Sequence, residues 1–329
     1  MCTNESLHVN AAKILLEYYG HDSLSYFALN PKKKYFFSSS GKSFLSYAIV
    51  NKVALVSGDP IGPISDFNLL LNEFTFFVKG ANLSSCFIGV QEKSLHLLQS
   101  FNLRAIQAGD EAVISLKNYK KDLLKKKVRR AESHINKLGI TCEFYKRKDL
   151  PLPYLQKIEE ISQEWLRTKG GKERGFSMTL GRIPGLTDAD CEFVIALQGK
   201  DILGYLTFVP SYASQSLSLD TSRRKFDTPN GLMEFLLINA FDYYKKNAIK
   251  QISLNFATFH NHNAQYNHSL LKLSKKYVYK VLSILYKTDK LYSFNDKFLP
   301  EWNSRYVAFE KKRYIPQYLL AIAKTELNM

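Results

Sequence analysis

The chain has 329 residues, 45% hydrophobic and 23% charged, which excludes a disordered or low-complexity protein and leaves room for two medium-sized cores. Lys and Arg number 46 against 30 Asp and Glu, a formal charge of +16, so an anionic partner is expected, either nucleic acid or an acidic membrane surface. No run reaches the ~18–20 apolar residues of a spanning helix, MCTNESLHVNAAK carries no secretory leader, and Cys2, Cys86, Cys142 and Cys191 have neither zinc nor paired-thiol spacing, so reduced thiols in the cytoplasm are expected.

Apolar residues at Leu7, Ala11, Leu15 and Tyr18 predict a helix over 6–19. Segments rich in β-branched and aromatic residues predict strands at 35–38, 44–49 and 52–57. The turn GDPIGP at 58–63 leads into a helix near Ser65, with Phe67, Leu70, Leu71 and Phe74 on its apolar side. A strand at 86–90, a helix at 92–101 and a strand pair over 104–116 complete a first α/β unit, and a very basic helix over 117–139 and a strand at 141–145 follow. Asp149, Pro151 and Pro153 interrupt both periodicities. They divide the chain into an N-terminal domain, 1–149, and a C-terminal catalytic domain, 150–329. Beyond them come a helix at 154–169, the loop GGKERGFSMTLGR, and strands at 191–197, 202–209 and 216–220. A helix at 230–247 and a strand at 251–257 close the pattern. Two consecutive mixed α/β units of similar size predict a duplicated fold, from element order alone.

The strand–loop–helix–strand run at 216–257 has the layout of the acyltransferase core in the GCN5-related N-acetyltransferase fold. That fold places a glycine-rich loop before the helix, where backbone N–H groups cradle the pyrophosphate of coenzyme A. Here the loop reads SRRKFDTPNG, with one glycine and a proline. It is a poor phosphate nest, so the transferase shape is favoured over an acetyl-coenzyme A enzyme.

Five segments, FLSYAIVNKVALVSGDPIGP, EWLRTKGGKERGFSMTLGR, LSLDTSRRKFDTPNGLMEFLL, ISLNFATF and YSFNDKFLPEWNSRY, together resemble the catalytic domain of bacterial phosphatidylglycerol lysyltransferases. These are the aminoacyl-phosphatidylglycerol synthases, or multiple peptide resistance factors. FNDKFLPEW looks closest to the actinobacterial branch, which includes forms fused to a lysyl-tRNA synthetase; other branches often have a lysine at the position of Asn295. The resemblance implies tandem GCN5-like α/β domains with a tunnel between tRNA and lipid entrances. It also implies transesterification, in which a headgroup hydroxyl attacks the aminoacyl ester of a charged tRNA. Lysine on phosphatidylglycerol is the expected pair, with alanine or another acceptor lipid as alternatives. No cofactor is expected beyond aminoacyl-tRNA as co-substrate. The expected place of work is the inner face of the cell membrane, bound peripherally, with a membrane-embedded flippase region or protein as a further partner. The chain is expected to be either a free-standing synthase or the catalytic part of a longer protein.

Asp220 and Arg223 form a D-x-x-R at a strand end. Spacing alone favours a turn-capping Asp beside a surface Arg. The matching family motif implies a carboxylate that orients or deprotonates the lipid hydroxyl, and an arginine fork for phosphate. Lys297 in NDKF would stabilise an oxyanion or phosphate. Arg305, from the same motif, would bind phosphate or brace the C-terminal segment. Glu173, Arg174 and GFSMTLG would line the aminoacyl pocket, or be solvated loop charges. Asn230 and Glu234 open the helix after the D-x-x-R loop, Asn230 as N-cap or ligand contact. Lys126, Lys127, Arg129 and Arg130, within the basic helix that also carries Lys120, Lys121 and Lys125, would track tRNA or lipid phosphate. His260, His262 and His268 lie in a polar loop that no carboxylate or thiol completes as a metal site, so no metal is expected. Residues 314–324 are expected to pack as a terminal helix, or to dock in the bilayer interface. A different class, a non-catalytic tRNA- or membrane-binding module, is the competing reading.

Overall fold

The computed structural model describes residues 4–168, 173, 175–257 and 288–327. The strand-like runs share a single mixed sheet of eleven strands. They are β1 (Lys34–Phe37), β2 (Phe44–Val50), β3 (Val53–Ser57), β4 (Ser84–Gln91), β5 (Arg104–Ser115), β6 (Ile140–Lys146), β7 (Glu192–Gln198), β8 (Asp201–Ser211), β9 (Ser216–Arg224), β10 (Gln251–Ala257) and β11 (Glu301–Phe309). Their order is β1-β2-β3-β4-β11-β5-β10-β9-β8-β7-β6. The two central strands, β11 and β5, are antiparallel to each other. Outward from them the pairing is alike on both sides: antiparallel to β4 or β10, parallel on to β3 or β9, then antiparallel. The duplication expected from element order is therefore present as a palindrome of strands.

The two halves exchange strands at the centre. β5 follows the first unit in sequence yet pairs with β10, while β11 returns from the far end of the chain to pair with β4. β6 pairs along its whole length with β7. Hydrogen-bonded ladders thus cross the expected 149/150 division in both directions, because Pro151 and Pro153 interrupt helix and strand periodicity but not sheet pairing.

Helices cover both faces: α1 (Asn4–Tyr19), α2 (Phe67–Gly80), α3 (Leu95–Ser100), α4 (Lys126–Lys137), α5 (Leu152–Thr168), α6 (Leu232–Lys246), α7 (Thr288–Asn295) and α8 (Ile315–Leu327). The largest apolar cluster lies under α6, where Phe235, Leu236, Ile238 and Phe241 meet Val194, Leu206, Phe208 and Ile252 of the sheet. The expected basic helix over 117–139 is shorter. Lys120, Leu124 and Lys125 are extended, since burying Leu124 and pairing Lys121 with Glu132 and Asp242 pull this stretch across the surface. The expected pair over 104–116 is one strand, kinked where β11 slips register between Arg305 and Tyr306. The C-terminal helix packs on its own protein, with Tyr318, Leu319, Ala321 and Ile322 buried. Cys86 and Cys191 are buried and Cys142 half-buried, all as free thiols.

β4, β9 and β10 all run on beyond the end of their parallel pairing. The last β3–β4 partners are Ser57 and Ile88, and the last β9–β10 partners are Ser218 and Ser253. A bulge follows at each place: β4 gains a residue against β11 around Gly89, and β10 gains one against β5 around Asn255. Both residues are left-handed, with φ of 77° and 72°, as bulges commonly demand. Between the two openings lies a small cleft, lined by Ile88, Gly89, Ala108, Ser177, Met178, Phe256, Val307 and Ile322.

Candidate active site

The loop at 175–181 (GFSMTLG) runs past the opening of β9 and β10 and is held at several points. From α8, the Glu326 carboxylate accepts the N–H groups of Phe176 (2.8 Å) and Ser177 (3.2 Å) and the Ser177 hydroxyl, and its carbonyl accepts the Gly175 N–H at 2.7 Å. The Asn30 amide donates to the Thr179 carbonyl at 2.8 Å. Phe176 and Leu180 are buried anchors. Gly175 has φ +102°, and a Cβ there would lie 2.4 Å from the Thr179 methyl; only glycine allows this turn.

Asp220 is half-buried in the middle of β9, at the bulge where β9 slips register against β8 between Leu219 and Thr221, and not at a strand end as the sequence suggested. Its Oδ1 accepts the Thr179 hydroxyl at 2.8 Å and the Leu180 N–H at 2.9 Å. Burial pushes its carboxyl up to about 6, against the pull of the Leu180 N–H, the Thr179 hydroxyl and the Arg223 charge; the Glu173 charge adds to the rise. A carboxylate with that pKa is ionised at neutral pH yet basic enough to accept a proton.

Arg223 is only 3% exposed. It donates from Nη2 to both oxygens of Glu173, at 2.6 and 2.7 Å, and from Nη1 to the Ser162 hydroxyl, and its guanidinium lies 4.8 Å from the centre of the Trp165 ring. The structure thus brings Asp220, Arg223 and Glu173 together. The turn-with-surface-arginine alternative fails at Arg223, and so does the expectation of an open phosphate fork, since Glu173 fills it. Glu173 in turn is an ion-pair partner and not a solvated charge.

The other expected residues lie elsewhere. Lys297 Nζ pairs with Glu234 Oε1 at 2.7 Å at the start of α6 and sits 4.7 Å from the Phe294 ring centre. Asn230 is exposed and outside that helix, whose N-cap is Gly231; the N-cap reading is corrected, because the chain must turn left-handed there (φ +95°) where it meets α4. A Cβ on Gly231 would lie 2.7 Å from the Ala131 Cβ. Helix α4 therefore closes the N-terminal approach to α6, where a coenzyme A pyrophosphate would rest.

Arg305 is 1% exposed. It donates to Glu111 (3.0 and 2.5 Å), Asp22 (3.0 and 2.5 Å), the Gly89 carbonyl (3.1 Å) and the Ser23 hydroxyl (2.8 Å). Every arm of the guanidinium is used, the geometry of a brace rather than of a phosphate receptor. Burial and the Asp22 charge push the nearby Asp59 carboxyl up to about 7, although Arg305 opposes the rise.

Helix α4 buries Val128, Glu132 and Ile135 and exposes Lys126, Lys127, Arg129 and Arg130. These charges occupy one polar side, not all faces. Arg174 and the histidines His260, His262 and His268 lie outside the described residues. Among the described residues no group of three or more His, Cys, Asp or Glu side chains could hold a metal ion, and no helix is long and apolar enough to cross a membrane.

Sequence reasoning passed over Thr179, Glu326, Asn30 and Asn255 as individual residues. Asn255 alone left a usable signal, an asparagine in the middle of an otherwise strand-like run.

Residues 13–309 match the family model described as phosphatidylglycerol lysyltransferase, C-terminal. The lysylphosphatidylglycerol biosynthesis bifunctional protein LysX of Mycolicibacterium vanbaalenii is 29% identical over 315 residues, covering 94% of this chain and 28% of that protein. LysX of Rhodococcus jostii is 29% identical over 321 residues, covering 95% and 28%. The chain thus spans little more than a quarter of the length of these relatives. Among solved structures, L-PGS from Bacillus licheniformis has a TM-score of 0.84 at 23% identity, covering 96% of both chains. The C-terminal domain of a putative lysylphosphatidylglycerol synthetase from Agrobacterium fabrum has a TM-score of 0.84 at 20% identity, covering 98% of this chain and 97% of that one. These likenesses establish the fold.

Proposed function

Because the chain belongs, over residues 13–309, to the family described as phosphatidylglycerol lysyltransferase, C-terminal, we propose that it moves an aminoacyl group, lysine in the first instance, from charged tRNA to the headgroup hydroxyl of phosphatidylglycerol. The observation that carries the reading within the chain is Asp220, a half-buried carboxylate raised to about 6 and held by the Thr179 hydroxyl and the Leu180 N–H. In the reaction, the lipid hydroxyl oxygen forms a bond to the ester carbonyl carbon while its proton passes to Asp220. The tetrahedral intermediate then collapses, the bond to the ribose oxygen of the terminal adenosine breaks, and Asp220 returns the proton to that oxygen. One ester replaces another, so no redox partner or net proton is needed, and positioning is the main task. Arg223, neutralised by Glu173, acts by fixing the stretch of β9 that carries Asp220. Lys297 has a free side for an anion only if Glu234 shares it.

The exposed charges Lys126, Lys127, Arg129 and Arg130 suit the phosphates of the tRNA donor, and the net charge of +16 suits peripheral attachment to an anionic lipid surface at the inner face of the membrane. A membrane-embedded partner or region would receive the product.

The test is transfer of radiolabelled amino acid from charged tRNA into chloroform-extractable lipid, with phosphatidylglycerol vesicles, lysine and alanine being assayed separately. Label should enter lipid with lysine and vanish after ribonuclease treatment. Transfer of neither amino acid by folded protein, with tRNA bound, would overturn the reading in favour of a binding module.

A further inference from the structure

The bulge residue Asn255 does more than its backbone conformation requires. Its N–H donates to the Ser253 hydroxyl at 3.1 Å, and its side-chain amide donates to two carbonyls, Met178 at 2.8 Å and Leu219 at 3.1 Å. Those carbonyls belong to different segments. Met178 precedes Thr179, and Leu219 precedes Asp220. The next residues along are thus the two that form the Thr179–Asp220 hydrogen bond. Parallel pairing of β9 with β10 has ended one residue before Leu219, at Ser218, so the amide stands in for a ladder the backbone no longer provides.

The matching bulge in the other half gives an internal control. There the left-handed residue is Gly89, with φ +77° against +72° at Asn255. Glycine meets the backbone demand at lower conformational cost than any other residue, so the backbone alone does not call for asparagine. The backbone N–H of Asn255 also ties the bulge inward, through the Ser253 hydroxyl. Ser253 donates to Glu111 at 2.5 Å, and Glu111 accepts from the buried Arg305. The clamp therefore hangs from a rigid, buried ion-pair array and not from solvent-exposed loop.

We propose that Asn255 is a positioning residue, which clamps the loop at 175–181 to β9 at Leu219 and so holds the Thr179 hydroxyl and the Leu180 N–H on Asp220. The inference rests on the role given to Asp220 under the proposed function. Asp220 also faces Arg223 and Glu173 and feels the Tyr205 and Cys191 side chains behind it, none of which Asn255 touches. Loss of the clamp removes two interactions that hold the Asp220 carboxyl down, so its titration moves upward.

The experiment is aminoacyl transfer by Asn255→Gly, with kcat and KM for charged tRNA measured from pH 5 to 8, together with thermal unfolding. Glycine keeps the left-handed backbone and deletes only the amide. The expected result is a kcat at least about tenfold lower with KM for tRNA little changed, and an acidic limb shifted to higher pH than the wild-type limb. In a Thr179→Val background the same substitution should cost less than it does alone, because the two share one of the two bonds to Asp220. Wild-type kcat and limb position in Asn255→Gly, or a lowered melting temperature with both unchanged, would overturn the inference. Should Asn255→Gly fail to fold, Asn255→Asp carries the same test, being isosteric and tolerant of positive φ. Asp220→Asn is assayed alongside. An inactive Asp220→Asn with an unaltered Asn255→Gly refutes the clamp alone, whereas a fully active Asp220→Asn refutes the proposed role of Asp220 itself.

Discussion

Replacing Arg305 with methionine tests whether that residue braces the protein or receives a ligand. The guanidinium is 1% exposed and makes six hydrogen bonds, four of them to the carboxylates of Asp22 and Glu111. Methionine fills much of the volume but leaves both carboxylates buried without a counter-charge, a change that costs about 3–5 kcal/mol. In a chain of this size that is a fall in melting temperature of roughly 5–10 °C. The sign of the pH effect follows from the same geometry. Without Arg305 the folded-state pKa of Asp59 rises further from an already elevated value of about 7. A carboxylate whose folded pKa is raised destabilises the fold in full above that folded value, and the penalty declines as pH falls from there to the unfolded pKa. The gap between wild type and variant should therefore narrow from pH 8 to pH 5. Differential scanning calorimetry across that range measures it. An Arg305→Met protein that melts with the wild type at pH 8, yet loses affinity for phosphatidylglycerol vesicles, would refute the brace and restore the phosphate role.

Asp220→Asn should abolish transfer while leaving the fold intact, since the amide oxygen can still accept from Thr179 and Leu180. Its melting temperature at pH 8 should equal or exceed that of the wild type, because keeping a carboxylate ionised at a pKa of about 6 costs the folded state about 1–3 kcal/mol. That advantage should disappear as pH falls through about 6 towards the ordinary range near 4. Changing Lys126, Lys127, Arg129 and Arg130 together to glutamine should weaken tRNA binding and flatten the plot of log affinity against log salt by about 3, as read by filter binding; an unchanged slope would remove α4 from the tRNA surface. Gly231→Ala should lower stability by at least about 2 kcal/mol, through positive φ and collision with Ala131, as read by urea denaturation.

The halves of the fold were legible to different degrees. Strands β2, β3, β4, β7, β8, β9 and β10 announce themselves by apolar runs, and α6 by its apolar residues, although its cap is Gly231 and not Asn230. β11 does not: EWNSRYVAF mixes a buried arginine with exposed polar residues, because it lies at the centre of the sheet where Arg305 must meet Asp22 and Glu111 from far upstream. Separations of 194 and 283 residues leave no local signature. The pairing of Arg223 with Glu173 was hidden for the same reason, and its absence from the reading turned a closed ion pair into an apparent phosphate fork. Asp220 was legible only through the family motif, since D-x-x-R at a strand end is ordinary turn chemistry.

The strand exchange explains why the chemistry sits where it does. Sending β5 and β11 across the midline places Glu111 and Arg305 between the two openings of the sheet, and both bulges then touch one ion-pair array: Gly89 through its carbonyl to Arg305, Asn255 through Ser253 to Glu111. A displacement at one opening is therefore resisted by the other. Two halves joined only by a linker would lack that coupling, and a carboxylate such as Asp220 would depend on loop contacts alone. The buried array costs desolvation of at least three charges, and in return it makes the two openings a single rigid frame around the cleft.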